Sequence, residues 1–145
     1  MKEIYTIDVA VAIIVNKNYE ALLQKKDMGY PWFPGKWCLF GGGIEDGEDP
    51  ETALRRELVE ELKFNIGDEI MKFKVQNYQD ETDKKIKKGR QYVYLVDFKG
   101  EISDIVLNEG AGFAFISKKE LGDIKINEHD FNVLKEYYSS TQFHS

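Results

Sequence analysis

The segment "LFGGGIEDGEDPETALRRELVEELKF", Leu39 to Phe64, decides how this chain is read, because a strand end, a loop and a helix can be taken from it in order. Asp49 followed by Pro50 is a helix start: a carboxylate able to cap free backbone amides, then proline at the first helical position. From there Leu54, Leu58 and Leu62 recur at four-residue spacing, a stripe that a helix turns toward a core. Glu57, Glu60 and Glu61 fall within about 100° of one another on that helix, beside the leucine stripe rather than opposite it. Like charges three and four residues apart disfavour the helix by a few tenths of a kcal/mol per pair (roughly 0.2–0.5), so something should offset them. At the edge of a core, a hard cation with oxygen ligands is one remedy. A solvated face laced by Glu51 with Arg55 and Arg56 with Glu60 is another. The helix by itself leaves both open.

Working outward, the elements are short and alternate. "IDVAVAIIV" (Ile7 to Val15) and "ALLQKK" (Ala21 to Lys26) flank the turn-like "NKNYE" and predict a β-hairpin. "KWCLF" (Lys36 to Phe40) predicts a strand that ends in three glycines, a pattern suited to a tight turn. "IMKFKVQNY" and "QYVYLVDF" predict two further strands, and the charged "DETDKKIKKGR" between them suits a solvated connection. "GFAFI" is another strand and "SKKEL" starts a short helix. The helix in "NEHDFNVLKEYY" takes Asn127 as its cap and sets Phe131, Leu134 and Tyr138 roughly on one face. The simplest layering is an α/β fold, a mixed sheet with helices packed on it, formed as a single domain over residues 1–145.

Composition limits the function. With 145 residues, 42% hydrophobic and 13% aromatic, the chain suits a globular domain with a real core. The formal charge of −6 argues against general attraction to nucleic acid or to anionic lipid. No repeat or low-complexity tract stands out, no stretch is long enough to span a bilayer, and the apolar opening lacks the marks of a signal peptide. The single cysteine, Cys38, fits a reducing compartment, so the cytoplasm is expected. An acidic protein can still bind polyphosphates, normally with divalent cations between its carboxylates and the phosphates.

The same segment resembles the signature of the Nudix hydrolases (MutT-like). That signature is glycine, five residues, glutamate, seven residues, then Arg-Glu-apolar-any-Glu-Glu-any-Gly-apolar, matched here by Gly42, Glu48, Arg56, Glu57, Leu58, Glu60, Glu61 and Phe64. The resemblance implies a Nudix-type α/β/α sandwich with a mixed β-sheet between helices. It further implies hydrolysis of a nucleoside diphosphate linked to another group, usually with Mg²⁺ or Mn²⁺. By resemblance, the Gly42 carbonyl and the carboxylates of Glu57, Glu60 and Glu61 form the metal site, and Arg56 ties the helix to the loop through Glu48 as an orienting group. By resemblance, the general base is a glutamate of this signature, or box, or a carboxylate from a later loop, for which Glu109 is a candidate; the other reading of Glu109 is a solvated loop glutamate. Two departures stand out: Phe40 replaces the usual proline before the glycines, and Lys63 replaces the glycine that would serve the helix C-cap.

Substrate contacts are sparser. Tyr30, Trp32 and Phe33 lie in a Pro/Gly-bounded loop, where an exposed ring would stack on a nucleobase and a buried one would fasten the loop to the core. Lys25 or Lys26, at the end of a strand, is placed to reach a phosphate, or is simply solvated. The run Lys84, Lys85, Lys87, Lys88 and Arg90 suits a solvated hairpin tip better than a phosphate or RNA contact, and His129 and His144 have no partner spacing for a metal. The reading is a metal-dependent pyrophosphohydrolase acting on a nucleoside triphosphate, oxidised ones included, or on a nucleotide sugar. The contrasting reading, a non-catalytic nucleotide sensor, is disfavoured because every box carboxylate is kept. The expected partner is a small nucleotide, with no nucleic acid polymer and no membrane. Homodimers are common among similar proteins, but no stretch here marks an interface.

Overall fold

The computed structural model describes residues 1–29, 32, 35–63, 70–100, 102–106 and 112–140. Its elements run β1 (Glu3–Thr6), β2 (Val9–Val15), β3 (Ala21–Lys25), β4 (Trp37–Cys38), β5 (Phe40–Gly43), α1 (Pro50–Leu62), β6 (Ile70–Glu81), β7 (Lys85–Asp97), β8 (Gly112–Ile116) and α2 (Glu128–Ser140), with short 3₁₀ turns at Ile102–Asp104 and Glu120–Asp123.

β2 organises the rest. All its residues are buried, which explains an unbroken apolar run where a half-exposed strand would alternate. Val9, Val11, Ile13 and Val15 point to one face and pack with Val133, Leu134, Tyr137 and Tyr138 of α2. Ala10, Ala12 and Ile14 point to the other and pack with Leu54, Leu58 and Leu62 of α1. The small alanines let α1 sit close to the sheet. The three leucines are no more than 1% exposed, and each such burial contributes about 1.5–3 kcal/mol. The result is an α/β sandwich, a mixed eight-stranded sheet between two helices.

β2 lies parallel to β7, from Val9 opposite Gln91 to Val15 opposite Asp97. Its other edge carries β5 antiparallel over Val9–Ala12 and meets β3 only where Val15 faces Ala21. The expected β2–β3 hairpin therefore closes at its base and then forks. Its turn is held by the Asn16 side chain, which accepts the amides of Asn18 and Glu20. The chain from β4 to β5 bridges the fork, since β4 pairs with β3 and β5 pairs with β2. On its far edge β3 pairs with β8.

Two expectations change. The segment Lys36–Phe40 is not one strand; it breaks at Leu39, whose amide leaves the sheet and donates to Asp130 Oδ2 at 3.0 Å. The glycines after it form strand β5 instead of a tight turn, because Gly41–Gly43 pair with Val11, Ala10 and Val9. Likewise, most of the charged segment at 80–90 is not a loop. Lys85–Lys88 continue β7, between β1 on one side and β6 on the other, and the turn closes with Thr82 N–H donating to Lys85 O at 2.8 Å.

α1 follows the expected start. Asp49 accepts the Thr52 amide at 2.9 Å and Pro50 opens the helix. At its end Lys63 adopts the left-handed conformation (φ 54°) and donates its amide to Val59 O. Asn127 Oδ1 caps α2 by accepting the Asp130 amide at 2.8 Å. Among the described residues, no helix is long and apolar enough to cross a membrane.

Candidate active site

The site forms at the fork in the sheet. Glu61, on α1, is 5% exposed and reaches both arms of the fork: Oε1 accepts the Gly41 amide of β5 at 3.1 Å, and Oε2 accepts Gln24 Nε2 of β3 at 3.2 Å. Burial pushes the Glu61 carboxyl up to about 7, opposed by the Gln24 hydrogen bond and the Lys26 charge and reinforced by the charge of Glu57. Glu57 lies one helical turn earlier against Gly42. A Cβ at Gly42 would fall 2.5 Å from the Glu57 carboxyl carbon, so only glycine leaves that carboxylate its place.

Arg56 fixes Glu57 from behind. Its guanidinium grips Glu48 with a two-pronged fork, Nε to Oε2 at 2.9 Å and Nη2 to Oε1 at 2.8 Å. Nη2 also donates to Gly43 O at 3.0 Å, and Nη1 donates to Glu57 Oε1 at 3.0 Å. One cation thus ties the loop before α1, the strand β5 and a box glutamate into one unit. The fork also holds the half-buried Glu48 carboxyl down to about 2. Glu60 stands apart. Its side chain is 60% exposed, with Oε1 3.7 Å from Arg56 Nη1, which places it at the rim.

Glu57 and Glu61 line a cleft of about 260 Å³ whose other walls come from distant parts of the chain. Val9 and Val11 are among its lining residues, as are Gly41, Gly42 and Gly43, with Lys26, Trp32 and Lys87 also in the walls. Asn127, His129 and Asp130 come from the start of α2. Asp130 is the hub there, accepting Leu39 N, Asn127 Nδ2 at 2.8 Å and Gln91 Nε2 at 2.7 Å. Gln91 Oε1 in turn accepts Gln76 Nε2 at 2.7 Å. Among the described residues Gln24 Oε1 is buried in the wall without a hydrogen-bond partner. Cys38 is buried, and desolvation pushes its thiol far up, so it supplies no thiolate.

Of the residues singled out by sequence, Glu57, Glu61, Gly42 and Trp32 line this cleft, Arg56 lies behind it and Glu60 at its rim. Lys25 lies outside: it ends β3 opposite Trp37 and Gly112 with its side chain exposed, and the next residue, Lys26, lines the cleft instead. Phe33, Tyr30, Phe64, Glu109 and His144 fall outside the described residues. Sequence reasoning passed over Gln24, Gln91, Asn127 and Asp130 as site residues, and placed Lys87 on a hairpin tip. The available signal was a polar residue inside an apolar strand: Gln24 after "ALL" and Gln91 before "YVYLV" are both at most 2% exposed.

The donor set suits a divalent cation. Glu57 and Glu61 offer hard carboxylate oxygens, and their mutual repulsion in a desolvated place is what such an ion relieves. Among the described residues no three His, Cys, Asp or Glu side chains already converge on one point, since Glu60 lies at the rim.

A loop, helix and carboxylate pair of this form, set at the fork of a mixed sheet, make a site for a divalent cation and the anion it would bring with it. The NUDIX domain model matches residues 5–137, and the chain belongs to the Nudix family. It is a Nudix hydrolase acting on phosphoric anhydride bonds. The chain is 33% identical over 127 residues to the nucleoside triphosphatase NudI of Enterobacter sp. (strain 638), covering 81% of this chain and 87% of that one. It is 34% identical over 124 residues to the NudI protein of Salmonella agona, covering 79% and 84%. Among solved structures it superposes on the E. coli dihydroneopterin triphosphate pyrophosphohydrolase with a TM-score of 0.76 at 12% identity, over 93% of this chain and 97% of that one. It superposes on a MutT protein from Methanosarcina mazei at 0.69 and 20% identity, over 97% of each. These two show the fold. Proteins of this family generally use divalent metal cations.

Proposed function

We propose that the protein is a metal-dependent pyrophosphohydrolase of nucleoside triphosphates, working in the cytoplasm with Mg²⁺ or Mn²⁺. The observation that carries this reading is the pairing of Glu57 and Glu61 at the fork, desolvated, braced by Arg56 and set against the glycine strand. The substrate class is drawn from the NudI relatives, whose name is nucleoside triphosphatase.

Glu57 and Glu61, with Glu60 from the rim and the Gly42 carbonyl, would hold the cation. When bound, such an ion neutralises the diphosphate and lowers the pKa of an attacking water. The chain's own residues do the rest. Arg56 orients Glu57, while Gln24 and the Gly41 amide orient Glu61. Water adds to phosphorus, the phosphoric anhydride P–O bond breaks, and the nucleoside monophosphate leaves with pyrophosphate. Glu109 or a box glutamate accepts the proton of that water.

The test is release of nucleoside monophosphate from a panel of nucleoside triphosphates and nucleotide sugars, each with and without Mg²⁺ or Mn²⁺. Turnover is fastest on the triphosphates and occurs only with metal. Glu57→Gln and Glu61→Gln each lower kcat by about 10²-fold or more with an unchanged circular dichroism spectrum. Glu109→Gln lowers kcat while leaving Mn²⁺ affinity intact. Parent-rate hydrolysis in Glu61→Gln removes the assignment.

A further inference from the structure

Lys87 is out of place as a structural residue. It sits on β7 in the cleft wall, yet among the described residues its ammonium makes no hydrogen bond or ion pair. Its one close partner is the Trp32 ring, whose centroid lies 5.7 Å from Nζ. Asp80 stands opposite it across β6 and β7 and attracts it through its charge without an ion pair, and among the described residues Asp80 Oδ2 is buried without a hydrogen-bond partner. Desolvation lowers the pKa of Lys87, with the positive charge of Lys26 adding to the effect. Asp80 and Glu57 offset part of that effect through their charge, but no carboxylate among the described residues closes an ion pair with this half-buried ammonium, and a partly desolvated cation so placed lowers stability unless something else requires it.

The cleft indicates what requires it. Glu57 and Glu61 make one wall acidic, whereas Lys26 and Lys87 bring two cations into the same space. A bound polyphosphate suits both. Its scissile part belongs with the carboxylates and their metal, and a further phosphate belongs with the lysines. Trp32 shields one side of Lys87 from water, which strengthens the attraction to an anion.

We propose that Lys87, with Lys26 beside it, is a specificity-determining residue: its ammonium binds the terminal phosphate of a nucleoside triphosphate and selects it over a nucleoside diphosphate joined to an uncharged group. This assignment rests on the pyrophosphohydrolase reading above and names the feature of the substrate that the cleft measures.

The probe is inorganic tripolyphosphate, titrated calorimetrically with Mg²⁺ present into the intact protein and into Lys87→Met and Lys87→Arg. Lys87→Met weakens tripolyphosphate binding about tenfold or more, while Lys87→Arg stays within about threefold of the parent. In turnover, Lys87→Met lowers kcat/KM for triphosphates relative to nucleotide sugars by a similar factor, mostly through KM. Without ligand, Lys87→Met melts at or above the parent temperature, because a partly desolvated charge that closes no ion pair among the described residues has been removed.

Equal tripolyphosphate affinity in Lys87→Met overturns the assignment. A lower melting temperature in that variant also overturns it, by showing that Lys87 pairs with Asp80 for stability. Should the parent hydrolyse no nucleotide while tripolyphosphate binding still depends on Lys87, the hydrolysis reading fails and the phosphate site stands.

Discussion

Gly41 and Gly42 are neighbours on one strand, but a methyl group added to each would meet different matter. At Gly41 it would fall 2.1 Å from the carbonyl oxygen of Ala10, with φ at 144°, so the backbone of the sheet itself would have to move. At Gly42 its nearest neighbours would be the carboxylate atoms of Glu57, which a flexible side chain can withdraw. The two substitutions should therefore separate folding from function. Gly41→Ala lowers stability by about 2 kcal/mol or more, read as the midpoint of urea unfolding. Gly42→Ala keeps that midpoint within about 1 kcal/mol, yet loses activity about tenfold or more by displacing a box carboxylate. Equal loss of stability in both would show that Glu57 is not what the second glycine accommodates.

α1 is the element most fully specified by its own residues. The Asp49 cap, Pro50 and the leucine stripe lie within one stretch of chain, and each acts through local geometry. Its one defect is also local. Lys63 takes a left-handed conformation that disfavours any residue with a Cβ, so Lys63→Gly stabilises the protein by roughly 0.5–1 kcal/mol, seen as a higher urea midpoint at unchanged slope. A lower midpoint would mean that the lysine side chain contributes more at the helix C-terminus than its backbone strain removes. Other elements were less legible for a physical reason. Polarity reports exposure and not pairing, so the outer half of β7, lysine-rich and still bonded on both sides, read as a loop. The β2–β3 hairpin was visible at its turn, but the fork above it depends on β5 and β7, which the local pattern does not contain.

For the whole molecule, stability and site are linked through Glu61. Its carboxyl is held at about 7 in the fold against an ordinary value of 4.5, so between those values the folded state binds the extra proton. Stability of the metal-free protein is therefore greatest below about pH 4.5 as far as this group is concerned, and falls as pH rises toward 7, by at most about 3 kcal/mol. Urea midpoints measured with chelator from pH 5 to pH 8 should decline, and Glu61→Gln should flatten that decline. A flat parent profile would show that Glu61 is already ionised in the fold. The site as a whole was only half visible in the linear chain. Glu57, Glu61 and the Arg56–Glu48 fork sit within one segment, whereas Gln24, Lys87, Gln91, Asn127 and Asp130 come from three other elements or their edges and meet only through topology.

The break at Leu39 bears on synthesis at the ribosome. Its amide is held by Asp130 of α2, so the bend that carries the chain from β4 to β5 is anchored by a helix translated long after it. A nascent chain that has released the glutamate helix holds the signature but neither that anchor nor the Lys87 strand. The bend that leads into the glycine strand is therefore set only when α2 docks.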